Sequence, residues 1–120
     1  MQIKITGRGI ELTDAIRDYT EKKINGLSKF YYNIIRADVV VGVESHHHLK
    51  GDIFLAECRL YVPGKDVFAS KNEKTLYKAI DKIRDYLEQE LKKHKARQNV
   101  GEEKKNIRKK RGMKEYRVEI

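Results

Sequence analysis

Three adjacent imidazoles, one thiol and a long run of lysine and arginine hold most of the reactive chemistry in this 120-residue chain. His46, His47 and His48 are the one cluster with metal-ligand character. Consecutive side chains on an extended segment diverge, whereas a zinc site needs ligands that converge. No metal is therefore expected there, even with Glu44 or Asp52 close in sequence. A second use is a pH-sensitive phosphate contact, since imidazole gains its charge at about pH 6.5. Cys58 falls on the apolar side of an alternating segment, where a buried thiol is inert. Gly7-Arg8-Gly9 lacks the Gly-Lys-Ser/Thr that completes a phosphate-cradling loop. Acidic residues are scattered among basic neighbours. With no nucleophile, base or metal constellation, neither catalysis nor a cofactor is expected.

The charge is more informative. Lys and Arg number 27 against 18 Asp and Glu, a net charge of +9. Residues 1–91 hold 15 basic and 14 acidic side chains, whereas residues 92–120 hold 12 and 4. Nearly all the excess lies in KKHKARQNVGEEKKNIRKKRGMK, a stretch that repels itself and has little to bury. It reads as a flexible arm seeking polyphosphate, because neutralising phosphates releases condensed counterions. A membrane is the weaker polyanion, since the tail lacks bulky apolar residues and no window approaches the roughly 20 apolar residues of a span. The opening MQIKITGRGIEL lacks the apolar core of a signal peptide, and one cysteine cannot form an internal disulfide. A reducing, cytoplasmic setting follows.

The elements that must position these groups are legible by period. Ile3 and Ile5 alternate with Gln2, Lys4 and Thr6, as on a half-buried strand. Thr13 is placed to cap a helix in which Ile16, Thr20, Ile24, Leu27 and Tyr31 form one stripe over about four turns, weakened at Gly26. Ala37, Val39, Val41 and Val43 form one strand face; Phe54, Ala56, Cys58, Leu60 and Val62 form another, with His46 to Asp52 as the loop between. Pro63-Gly64 signals a turn, and a short strand from Asp66 to Ser70 follows. Leu76, Ile80, Ile83, Leu87 and Leu91 define a long helix from about Glu73 into Lys95.

The order β-α-β-β-β-α predicts an α+β two-layer sandwich, a four-stranded sheet covered on one face by two helices in a dsRBD-like arrangement. Residues 1–97 are expected to form this domain and 98–120 a basic, disordered tail or linker. Basic candidates for RNA phosphates on the helix faces and the strip that follows them are Arg17, Lys22, Lys23, Lys29, Lys82, Arg84, Lys92, Lys93, Lys95 and Arg97. Seven tyrosines offer rings for stacking, yet no RRM-type aromatic signature is legible. Recognition by shape and phosphate is favoured over sequence readout. A general double-stranded RNA-binding module and a transcription-regulatory interaction protein are the alternative readings.

Three segments carry a family likeness. ITGRGIELTDAIRDYTEKKINGLSKF, VFASKNEKTLYKAID and LEQELKKHKAR resemble, in order, stretches of the ribosome hibernation-promoting factors, the family of bacterial protein Y or ribosome-associated inhibitor A. The resemblance covers about residues 1–97. It implies a cytoplasmic, non-enzymatic protein that binds ribosomal RNA of the small subunit in the channel of messenger and tRNA, blocking initiation under stress. It also implies that Arg8, Arg17, Lys22, Lys23, Lys93 and Lys95 touch RNA, and that Asp81 of the Y-x-A-I-D signature orients basic neighbours. Lys74 and Thr75 stand where the family usually has acids. MKEYRVEI resembles the start of the dimerising domain of long members, so the resemblance implies either a long form cut at its linker, the favoured reading, or an unusual short form. A cut long form would bind ribosomes without pairing them.

Overall fold

The computed structural model describes residues 1–47 and 51–110, with side chains placed for 1–44 and 51–97. Strand β1, Gln2–Arg8, turns Ile3 and Ile5 inward and its polar residues outward. Helix α1, Asp14–Asn25, opens on Thr13, whose hydroxyl accepts from the Ile16 amide at 3.2 Å, and Asp14 sits in its first turn. Both features stabilise a helix N-terminus. Gly26–Lys29 is a 3-10 turn, followed by strands β2, Arg36–His47, β3, Gly51–Val62, and β4, Lys65–Glu73. The turn between β3 and β4 places Gly64 at φ 82°, a conformation that glycine adopts without steric cost. Helix α2, Leu76–Lys110, opens on Thr75, whose hydroxyl accepts from the Lys78 amide at 3.2 Å.

The sheet order is β1-β2-β3-β4, with β1 parallel to β2 and the other pairs antiparallel. Helix α1 is the crossover that the parallel pair requires. Both helices cover one face. Ala37, Val39 and Val41 of β2, Ala56, Cys58, Leu60 and Val62 of β3, and Val67 and Ala69 of β4 are buried there against Ile24, Leu27, Ile80, Ile83, Leu87 and Leu91. Among the described residues Thr20 is the one fully buried hydroxyl in this layer, and it donates to the Ile16 carbonyl at 2.7 Å. The apolar stripes expected on both helices are the buried ones, and the four-stranded α+β sandwich stands as read.

Several boundaries differ. The first helix ends at Asn25, and its stripe continues through the 3-10 turn to Leu27 and on to Tyr31, because Gly26 weakens the last turn. His46 and His47 lie in β2, paired with Asp52 and Gly51, where the residue types alone suggest a loop. A register shift between Val43 and Ser45 breaks the alternation that would have shown the strand continuing. His48 lies outside the described residues. Strand β4 runs to Glu73, so α2 starts at Leu76. Its backbone continues past the expected end at Lys95, through a proline-free segment rich in Lys, Arg, Gln and Glu. Residues 111–120, including MKEYRVEI, lie outside the described ones.

Candidate nucleic-acid interface

Covering one sheet face with two helices leaves a groove between them on the side away from the sheet. Tyr19, Lys22, Lys23, Gly26 and Lys29 line it from α1 and the 3-10 turn, and Asp81, Arg84 and Asp85 from α2, around a volume of about 520 Å³. Four cations from three elements therefore face one concavity. Gly26 leaves open space at its edge, with no atom within 4 Å of where a Cβ would stand.

The acids in the groove hold some of these cations in place. Asp81 Oδ1 accepts from the Tyr19 hydroxyl at 2.6 Å and pairs with Lys23 Nζ at 3.4 Å. The Tyr19 ring meets Tyr77 edge-on at 4.7 Å, and Lys23 lies over the same ring. The hydrogen bond to Asp81, followed by burial, pushes the Tyr19 phenol up to about 12, so it stays a neutral donor across the physiological range. Along α2, Glu88 pairs with Arg84 and with Lys92, the latter at 2.8 Å. Those hydrogen bonds, Lys92 first, hold the Glu88 carboxyl below its ordinary range. Arg84 and Lys92 both lie over the Phe30 ring, at 5.5 and 5.1 Å from its centre. The aromatic face thus gathers two cations that would otherwise repel.

The eleven basic candidates divide sharply. Lys22, Lys23, Lys29 and Arg84 meet in the groove, and Lys92 extends its α2 wall through the shared Glu88. Lys95 follows at helical spacing on that side and is exposed. Arg8 ends β1 and pairs with Glu44 at 3.1 Å, away from the groove. Lys82 turns back to Glu73 of β4, whose carboxyl is lowered by that bond, and Lys93 pairs with Glu90. Among the described residues, Arg17, Lys22, Lys29, Lys95 and Arg97 are exposed with no acidic partner; Arg17 does not line the groove. Phe30 and Asp85 complete the site without being among the sequence candidates, and Tyr19, one of the seven rings noted there, enters as a hydrogen-bond donor to Asp81. No local pattern announces that residues 62 positions apart, Tyr19 and Asp81, bond to each other.

Other chemistry stays quiet. Cys58 is buried, and desolvation pushes its thiol up to about 12. Among the described residues no group of His, Cys, Asp and Glu is arranged to hold a metal ion. None of their helices is long and apolar enough to cross a membrane.

A family model described as Sigma 54 modulation protein / S30EA ribosomal protein matches residues 3–99. The chain belongs to this family. Proteins similar to it include the ribosome hibernation promoting factor of Azotobacter vinelandii, 39% identical over 98 residues that span 82% of this chain and 86% of that protein. The Escherichia coli K12 protein of the same name is 34% identical over 95 residues, spanning 79% and 94%. Among solved structures, the N-terminal domain of Thermus thermophilus Protein Y aligns with a TM-score of 0.69 at 37% identity, covering 78% of this chain and 99% of that one. A ribosomal subunit interface protein from Coxiella burnetii aligns with a TM-score of 0.70 at 25% identity, covering 80% and 99%. The family match contains β1 from Ile3, the other three strands, α1 and the groove-lining part of α2.

Proposed function

We propose that this protein is a ribosome-binding hibernation factor, seated by its inter-helix groove and the adjoining wall of α2 on ribosomal RNA of the small subunit. On this reading residues 1–97 form the docking wedge, and the basic segment from 98 onward adds phosphate contacts. The wedge fills the channel that messenger and tRNA need, so initiation stops while the idle particle is preserved. The protein works in the cytoplasm and catalyses nothing.

The observation that carries this reading is the convergence of Lys22, Lys23, Lys29 and Arg84 from three elements on one groove. Lys22 and Lys29 have no acidic partner among the described residues and remain available to phosphate. The ribosome hibernation promoting factors among its relatives support the choice of polyanion.

Sedimentation with purified small subunits tests it. Co-migration is expected at about physiological salt, with affinity falling steeply as salt rises because phosphate contacts release counterions. Initiator tRNA or messenger should compete. Absence of co-migration, or an affinity indifferent to salt, would defeat the reading, and equal affinity for arbitrary RNA duplexes would favour a general double-stranded RNA module.

A further inference from the structure

Tyr32 is the most exposed large hydrophobic side chain among the described residues, with 90% of its surface open to solvent. It is not on a loose loop. Tyr31 on one side and Ile34 on the other are buried in the core, and the Ile35 amide donates to the Tyr61 carbonyl at 2.8 Å. The ring is thus displayed on an anchored step between the 3-10 turn and β2. Its plane lies 25° from that of Tyr31, with ring centres 6.1 Å apart, and Tyr31 in turn leans on His94 of α2 at 5.3 Å.

The surroundings favour a polyanion. No acidic residue occurs between Asn25 and Asp38, while Lys29 and Arg36 do. The preceding ring, Phe30, carries Arg84 and Lys92 over it, which joins this step to the cationic wall of the groove. An exposed aromatic ring on an anchored stretch of backbone, beside a cationic track, is the arrangement on which unpaired bases stack while neighbouring cations hold the backbone.

We infer that Tyr32 is a stacking platform for one unpaired nucleobase of the RNA whose phosphates the groove holds, an inference that rests on the ribosome-binding reading above. The contact is indifferent to base identity, since every base offers a π face, but it demands that the base be out of a duplex. The protein would then recognise a site where helical RNA adjoins an unpaired nucleotide, rather than any duplex.

The chain contains no tryptophan, so Tyr32→Trp installs a single fluorescent reporter at this position. Single-stranded oligoadenylate at low salt should quench it, and a duplex of equal length should not. In parallel, Tyr32→Ala should weaken binding to small subunits about tenfold, with Tyr32→Phe close to wild type and thermal melting unchanged in both. Wild-type binding with an unaffected Tyr32→Ala variant overturns the stacking role alone. Loss on Tyr32→Ala without quenching by the single strand assigns Tyr32 to a protein contact and also overturns it. Failure of the wild type to bind subunits overturns the ribosome reading and this inference with it.

Discussion

The Tyr19 phenol on α1 donates a 2.6 Å hydrogen bond to Asp81 Oδ1 on α2, and the same oxygen holds Lys23 at 3.4 Å. One carboxylate therefore fixes the spacing of the two helices and the position of a groove cation. Tyr19→Phe should cost about 1 kcal/mol, below the roughly 1.5–3 kcal/mol of a hydrogen bond to a fully buried charged group, because solvent reaches this pair. The cost has a definite pH window. The fold raises the phenol above its ordinary value of 10.0 to about 12, so the stabilisation is complete below pH 10.0 and is lost as pH rises to about 12. Denaturant unfolding of wild type and Tyr19→Phe should differ at neutral pH and converge at the alkaline end. A constant difference throughout would show that the phenol acts only by packing.

Reversing the unpaired cations separates binding from folding. Lys22→Glu combined with Lys29→Glu should weaken small-subunit binding by at least tenfold at low salt and flatten its salt dependence, since fewer counterions are released. Exposed substitutions of this kind shift stability by under about 0.5 kcal/mol. Lys65→Glu, at the exposed start of β4, serves as a charge-matched comparison that leaves binding nearly intact. Filter binding and a melting curve on the same samples check both halves.

Two glycines should respond in opposite directions to alanine. A Cβ at Gly42 would stand 2.0 Å from the Arg8 carbonyl oxygen, so β1 could not keep its parallel seat beside β2. Gly42→Ala should destabilise by about 2 kcal/mol or more. Gly26 has a helical φ of −62° and no atom within 4 Å of the place an added methyl would take, so Gly26→Ala should stabilise by about 0.5–1 kcal/mol. Chemical denaturation of the two variants reads the contrast directly.

Cys58 should behave as a reporter of unfolding. Buried on β3 and held protonated by desolvation, its thiol is closed to alkylation in the native state at neutral pH. Labelling by iodoacetamide should rise with denaturant in step with loss of secondary structure. Rapid labelling without denaturant would place the thiol at the surface.

Period and capping make most of this fold legible from residue types alone. The stripe from Leu76 to Leu91 reads as a helix because one face must be apolar, and Thr13 reads as a cap because its hydroxyl satisfies an otherwise orphaned amide. The parallel seat of β1 stays hidden because alternation reveals which face is buried but not which neighbour is paired. The extension of β2 through His47 stays hidden because the shift between Val43 and Ser45 interrupts the alternation. The site is legible as chemistry and not as geometry. Eleven cations stand out, but their sorting depends on tertiary partners: Glu73 draws Lys82 aside, Glu44 draws Arg8, and the approach of α1 to α2 brings Lys22 and Lys29 to Arg84.

Because the strands lie side by side in the order they occur along the chain, each new strand emerging during synthesis finds its neighbour already made. The oily layer beneath the sheet is not closed until Ile80, Ile83, Leu87 and Leu91 arrive with the last helix. The nascent protein therefore passes through an interval in which an assembled ribbon exposes one greasy side, the kind of species that chaperones attend. Substitutions that slow the docking of that last helix should be felt first as poor yield from cells, ahead of any change in the finished protein.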